Sequence, residues 1–339
     1  MSITIEELAQ HLSLSVSTVS KALNGYSDVG AATRSRIQRA AQELGYHPNT
    51  AARNLRRQRT EKIGVVVNYP INIVDDYLAE LISGAALAAE QADYNLILYT
   101  SVAHHPERIS KICRAREVDG LLLLWPPNLE HTLALMEEEQ MPYIILPRRV
   151  PHAKASYIAA DHYASGRALT QHLIELGHQR IGFTTYPEVH ETNSDRFDGY
   201  RRALAEAGLA FDPSLVVEVN SQEPSKGEKI LQSLLTVEQP PTAILCFNDP
   251  IAMHVLAAAN ARGLRVPQEL SLTGHDGILN SAMSVPALTT ARQPIPEIGK
   301  QAVEALLAQI ADSNLPPTQR MLPIQLIVRG STGRRDNGQ

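Results

Sequence analysis

The sequence holds only two cysteines, one tryptophan and four phenylalanines in 339 residues. Cys113 and Cys246 lack the paired spacing of a metal or redox motif, and each lies among apolar residues. That spacing excludes a disulfide framework and predicts two buried thiols. Long apolar runs are missing as well: none approaches the ~18 residues of a membrane-spanning helix, so no membrane partner is expected. The first ten residues, MSITIEELAQ, carry acids where a secretory leader needs a basic and then an apolar stretch. They point to a cytoplasmic protein. Catalytic signatures are absent too. There is no Walker loop, no G-x-S-x-G elbow and no dinucleotide fingerprint after the first predicted strand, GVVVNYPINI. These absences weigh against an enzyme, and no cofactor or metal is expected. His104-His105 and the acid run Glu137 to Glu139 read as solvated surface. Finally, positive charge is scarce, with 31 Lys/Arg against 36 Asp/Glu and a net charge of −5. Taken as an average, that balance argues against nucleic acid.

The average hides a split. Through residue 62 there are nine Lys/Arg and five Asp/Glu, so a small basic head precedes a strongly acidic body. In the head, Thr4-Ile5-Glu6-Glu7 has the spacing of a capping box. Leu8 and Leu12 then lie one turn apart. Ser15 is a predicted N-cap for a second helix with Val19, Ala22 and Leu23 inward, leaving Val16, Ser17, Ser20 and Lys21 outward. A third helix, within AATRSRIQRAAQELGY, places Ile37, Ala40, Ala41 and Leu44 inward and closes at Gly45. Three short helices with a tight second connection describe a helix-turn-helix unit. Small polar residues at the start of its second helix suit entry into a major groove. A three-helix bundle that binds a protein is the competing reading.

The stretches TIEELAQHLSLSVSTVSKALNG and TRSRIQRAAQELGYHPNTAARNLR resemble the N-terminal module of the lactose-repressor/galactose-repressor family of bacterial transcription regulators. GLRVPQELSLTGHDG and PALTTARQP extend the resemblance to the C-terminal part. It implies that Val16, Ser17 and Lys21 read the major groove, and that Ala52 and Leu55 enter the minor groove. The DNA-contacting set expected here is Thr4, Ser15, Val16, Ser17, Ser20, Lys21 and Asn24 in the head. Asn49, Ala52, Arg53, Leu55 and Arg56 continue it beyond the head. The segment HPNTAARNL can form about two turns of helix, too short to be stable alone in water, with Asn49 as its N-cap. The resemblance implies that two such segments pack together on DNA and that Leu55 wedges into a base step. Arg53, Arg56, Arg57 and Arg59 are placed to neutralise phosphates.

Residues 61–331 show short apolar runs separated by helical stretches: KIGVVVN, NLILYT, DGLLLLW, PYIILP, SYIAAD, RIGFTT, LVVEV, PTAILCFND and ELSLTGHDG. Near-continuous apolar strands suit parallel sheets covered on both faces. The fold class predicted is α/β and doubly wound, with an all-α head. The pattern restarts near Asp161, which predicts two similar lobes with a cleft between them. The resemblance implies the fold of type I periplasmic sugar-binding proteins. The domains expected are 1–47 for the head, 48–60 for the hinge and linker, 61–331 for the ligand-binding and dimerisation body, and 332–339 for a tail. Within the body, lobe 1 is expected at about 61–160 and 291–320, and lobe 2 at about 161–290 and 321–331.

Ligands of such sheets sit beyond the carboxyl ends of strands. Trp125, Asp161, His162, Asn248, Asp249, His275 and Asp276 all end apolar runs, and Arg196 opens the run RFDGYRRAL. A carboxylate, an amide and a guanidinium together supply donors and acceptors for vicinal hydroxyls, and Trp125 offers an apolar face to a sugar ring. Each also has a purely structural role open to it, such as helix capping for Asp249. The resemblance implies sugar hydroxyl contacts for Arg196, Asn248 and Asp276, and an amide at 248 favours a sugar over a purine. Two positions depart from the family: Gln222 stands where a ring-stacking aromatic is expected, and Leu78 stands beside Tyr77 at another. The partners expected are a pseudo-palindromic operator, a mono- or disaccharide effector, and a second copy in a homodimer. A nucleobase-dependent corepressor protein and a soluble sugar-binding protein without a DNA role are the alternatives.

Overall fold

In the computed structural model of the chain, residues 3–23, 26–46, 59–68, 76–100, 107–126, 128–186, 191–219 and 223–335 are described. The chain divides after Glu61 into two compact units.

The first unit contains α1 (Ile5–Leu12), α2 (Val16–Leu23) and α3 (Ala31–Glu43). The capping box forms as its spacing predicts: Glu7 N–H donates to Thr4 Oγ1 at 3.2 Å, and Thr4 N–H donates to the Glu7 carboxylate at 2.7 Å. Ser13 closes α1 in the left-handed conformation, φ 54°, so α2 begins three residues later. Leu8, Leu12, Val19, Ala22, Ile37, Ala40 and Ala41 form one buried cluster. Each large apolar side chain in it contributes about 1.5–3 kcal/mol. Leu23, the last residue of α2, and Leu44, just past the end of α3, are half-buried rather than fully inward.

The second unit contains twelve strands among the described residues: β1 (Lys62–Val67), β2 (Asn95–Tyr99), β3 (Gly120–Leu124), β4 (Tyr143–Leu146), β5 (Tyr157–Ala160), β6 (Ile181–Thr185), β7 (Val216–Glu218), β8 (Ala243–Leu245), β9 (Ser271–Asp276), β10 (Thr289–Arg292), β11 (Gln319–Leu322) and β12 (Gln325–Ile327). Its helices are α4 (Asp76–Gln91), α5 (Glu107–Arg114), α6 (Leu129–Glu138), α7 (His162–Glu175), α8 (Glu191–Glu206), α9 (Lys226–Leu235), α10 (Asp249–Ala261), α11 (Leu279–Met283) and α12 (Ile295–Ala311). Two six-stranded sheets result, ordered β11-β5-β4-β3-β1-β2 and β12-β10-β9-β8-β6-β7. The described pairings are parallel except β10 with β12.

Strand β3 shows why the apolar runs are continuous. Its alternate residues Leu122 and Leu124 pack with Leu81, Ile298 and Val303 on one face. Leu121 and Leu123 pack with Ile112 and Met136 on the other. A strand covered by helices on both sides has no solvent face to mark with polar residues. Both cysteines are free and buried, Cys113 in the first sheet's cluster and Cys246 in the second's.

The chain passes between the sheets three times: after β5, after β10 and after β11. The last two passages come slightly later than predicted. β10 keeps Ala291 and Arg292 in the second sheet, paired with His275 and Asp276. β11 keeps Met321 and Leu322 in the first, paired with Ala159 and Ala160. The lobe boundaries placed at 291 and 321 are corrected accordingly. The first lobe carries α12, whose Ile298, Ala302 and Val303 join the core of β1 and β3.

Candidate functional sites on the head and between the lobes

The head presents one helix face. Ser15 caps α2 by accepting Thr18 N–H at 3.1 Å, and its hydroxyl lies 2.8 Å from Thr18 Oγ1. Ser15, Val16, Ser17 and Lys21 are exposed, while Ser20 is half-buried. An exposed valine at 41% of its full surface, on the outer face of a helix whose inner face is buried, is surface that its own unit does not need. Lys21 pairs with Asp28 at 2.5 Å, and this holds the Asp28 carboxyl below its usual range. The Thr4 hydroxyl is engaged in the cap with Glu7. Asn24, Asn49, Ala52, Arg53, Leu55 and Arg56 lie outside the described residues, as does Gln222.

Between the lobes, a polar cluster is built around Arg196. Helix α8 begins at Glu191, five residues earlier than the predicted opening, so Arg196 lies in its second turn. Helices α7 and α8 touch backbone to backbone: a Cβ on Gly166 would meet Arg196 O at 2.1 Å, and one on Gly199 would meet Tyr163 O at 2.2 Å. Only glycine permits this approach, and it brings Arg196 against the N-terminus of α7. There Arg196 Nη2 lies 3.4 Å from His162 Nδ1 and donates to Asp276 Oδ1 at 3.2 Å. Nη1 donates to Phe247 O at 2.6 Å, and the guanidinium stacks over the Phe247 ring at 4.4 Å. Arg196 is 3% exposed, and its Nε has no partner among the described residues.

Asp276 ends β9 with φ 107°, a conformation that costs a non-glycine residue roughly 1–3 kcal/mol. Its Oδ1 accepts from Gln293 Nε2 at 2.7 Å and lies 2.9 Å from His275 Nδ1. Gln293 also accepts from the Tyr77 hydroxyl at 3.3 Å. It therefore links Tyr77, on first-lobe helix α4, to the second lobe's Asp276. The Tyr77 ring lies 6.1 Å from the Trp125 ring at a tilt of 49°, and Trp125 itself has a left-handed backbone, φ 48°. Arg196, Asp276, Tyr77 and Trp125 thus form one connected group.

Asn248 and Asp161 stand beside it as helix caps. Asn248 Oδ1 accepts Ile251 N–H at 3.0 Å, and its amide nitrogen makes no hydrogen bond among the described residues. Asp161 Oδ1 accepts Ala164 N–H at 2.8 Å. The capping role considered for Asp249 falls to Asn248. Asp249 is instead wholly buried, accepting from Thr290 Oγ1 at 2.6 Å and Ile278 N–H at 2.9 Å.

Burial dominates the electrostatics. It pushes Asp276 up to about 6, against the opposing pull of Arg196. It pushes Asp249 up to about 7, with help from the negative charge of Asp276. His162 and His275 are held well below their usual range by burial and the Arg196 cation, so both rings are neutral at pH 7. Among the described residues no group of three or more His, Cys, Asp or Glu is arranged to hold a metal ion.

Sequence reasoning missed several members. Gln293, Ser165 and Phe247 gave no signal of their own. Arg148 and Arg149 follow β4 and reach across to α8. Arg149 makes a two-pronged pair with Asp195 at 2.9 and 3.3 Å, and Arg148 pairs with Glu191 at 3.5 Å. Two adjacent arginines at the carboxyl end of a predicted strand were a legible hint.

A family model for bacterial regulatory proteins, lacI family, matches residues 4–49, and one for a periplasmic binding protein-like domain matches residues 170–332. The HTH-type transcriptional repressor CytR of Escherichia coli K12 is 32% identical over 97% of this chain and 96% of its own. This chain belongs to the lacI family of bacterial regulatory proteins. It is also 33% identical to the repressor PurR of Aliivibrio salmonicida, over 92% and 93% of the two chains. Among solved structures, a lac repressor dimer bound to operator and the anti-inducer ONPF superposes with a TM-score of 0.84 at 25% identity, covering 98% and 100%. The regulator CelR in complex with cellobiose gives 0.73 at 28%, covering 97% and 99%. The chain is thus a DNA-binding transcriptional repressor with a small-molecule-binding body, and not an enzyme. No helix among the described residues is long and apolar enough to cross a membrane.

Proposed function

We propose that this repressor controls genes for carbohydrate uptake or use in the bacterial cytoplasm, and that a mono- or disaccharide bound between its lobes sets its operator affinity. The observation that carries the reading is the grouping of Arg196, Asp276 and Asn248 at the carboxyl ends of second-lobe strands. It provides a guanidinium donor, a carboxylate acceptor and an amide nitrogen with no partner among the described residues, close to two aromatic rings. That donor and acceptor set suits vicinal hydroxyls, and the rings suit the apolar face of a sugar. The cellobiose complex of CelR supports the ligand class by similarity.

One head reads one half-site, so operator binding takes a dimer. Leu279, Met283 and Val285 are exposed at 67%, 70% and 82% on one short stretch around α11, and we assign them to the contact with a second copy. In this reading, sugar binding draws the lobes together, the 48–60 segments of the two copies lose their mutual packing, and Leu55 leaves the minor groove. The effector acts only through its differential affinity for the two states.

The test is a gel shift on the chain's own promoter region with cellobiose, other simple sugars, nucleosides and nucleobases. Release by a sugar is expected, and tightening would reverse the sign of the coupling. Failure of the full-length dimer to bind any such DNA at moderate salt would refute the operator reading. The resemblance to PurR supports a second ligand class. Calorimetry decides between them, and tight nucleobase binding would overturn the sugar.

A further inference from the structure

The reading of Asp276 as a ligand contact leaves open what aims its carboxylate. The two oxygens are treated very differently. Oδ1 faces Gln293, Arg196 and His275 at once, whereas Oδ2 accepts no hydrogen bond among the described residues. His275 is wholly buried, and its other nitrogen, Nε2, lies 2.5 Å from Ser165 Oγ on α7. The His162 ring lies beside it, centroids 5.5 Å apart, bonded in turn to Pro147 O and Arg196.

Counting protons favours one tautomer, with the shorter contact of Nδ1, to Asp276 Oδ1 at 2.9 Å, outweighing the 3.5 Å approach of Gln293 Nε2. A carboxylate only accepts, so the single N–H of a neutral imidazole sits on Nδ1. Nε2 then carries a lone pair and needs a donor, and the Ser165 hydroxyl is the donor in reach. That hydroxyl is also 2.7 Å from the His162 carbonyl, but a carbonyl inside α7 has a donor from the helix itself. The groups that face the ring are Arg196 from α8, Asp276 on its own strand and the neutral His162 ring from α7. The nearest cation, Arg196, opposes a second positive charge on the imidazole.

We propose that His275 is a positioning residue: held in its Nδ1–H form by Ser165, it pins Asp276 Oδ1 and leaves Oδ2 as a pure acceptor for a ligand hydroxyl or N–H. The pinning also stabilises Asp276 in its left-handed conformation. The ligand face of the site is therefore set one layer below, by a residue that touches no ligand. A phenylalanine would fill the same space without supplying the bond.

The test does not depend on knowing the ligand. Histidine 15N spectra of the full-length protein, assigned with His275→Phe, should show His275 neutral with its proton on Nδ1 between pH 8 and 7. An Nε2–H ring, or an imidazolium at pH 7, overturns the proposal. Side-chain 13C titration then follows Asp276. Loss of one hydrogen bond in His275→Phe should raise its midpoint by about 1 pH unit. His275→Asn, which keeps an N–H near the Nδ1 position, should restore it. A midpoint unmoved in His275→Phe, or raised equally in both variants, overturns the positioning role. If the His275 variants fail to fold, the wild-type spectrum, assigned with Ser165→Ala, still decides. A correct His275 result with no sugar bound would refute only the proposed ligand class.

Discussion

Asp276 concentrates the chemistry of the body in one side chain. It is strained, buried, paired with Arg196 and tied to the first lobe through Gln293 and Tyr77. Asp276→Ala is expected to abolish the response to effector while leaving operator binding intact. A normal effector titration in gel shifts would remove it from the site. Its raised midpoint gives a pH prediction. A ligand held by the ionised carboxylate binds with constant affinity above about pH 6 and loses up to tenfold per unit below it. Calorimetry across pH 5–8 measures this, and an affinity flat to pH 5 contradicts it. The candidates Asp276 and Asn248 stood out in the sequence because polar side chains ending apolar runs are conspicuous. Gln293 and Ser165 were not, since a glutamine in an extended crossing and a serine in a helix look ordinary until a fold brings them to a carboxylate and a ring.

Elements were legible where apolar pattern drives them and illegible where hydrogen bonds do. β3 and β4 announce themselves as GLLLL and YIIL. β10 is TTAR, and it was missed. Its two threonines are fully buried because Thr290 donates to Asp249 and Thr289 accepts Arg329 N–H at 2.9 Å. β11 is QRML, an edge strand whose side chains are mostly exposed, so no apolar run marks it. The close contact of α7 with α8 yields a prediction at this scale. Gly199→Ala forces a Cβ against the Tyr163 carbonyl and should destabilise the body by roughly 3 kcal/mol or more. Thermal melting and effector affinity should fall together, since the same shift moves Arg196. Unchanged melting would mean that the helices part freely.

At the scale of the molecule, the arginine pair after β4 joins the lobes directly. Arg149 is part-exposed and bidentate to Asp195, a geometry that holds more than a simple surface pair. Arg149→Glu is expected to favour separated lobes, and adding Asp195→Arg should bring them back. The coupling expected is about 1 kcal/mol. Small-angle scattering and effector affinity in the four-way mutant cycle would measure it, and additive effects would deny the link. The homodimer assigned to the Leu279–Val285 surface is tested by Met283→Glu with Val285→Glu, which should sediment as a monomer with its ligand site unchanged. A dimer that persists would place the interface elsewhere. The two-lobed architecture was readable from the restart near Asp161. The lobe boundaries were off by a residue or two, because strand register rather than composition decides where a chain changes sheets.

The three passages between sheets also set a timetable. The head is complete once residue 46 has been made, whereas the first sheet lacks an edge until β11 and the second until β12. A ribosome adding ~5–20 residues per second needs on the order of tens of seconds to cover that gap. A nascent chain therefore carries a finished DNA-reading domain well before the lobes that would govern it can close. Any message cut short before codon 319 would release that head with neither sheet whole.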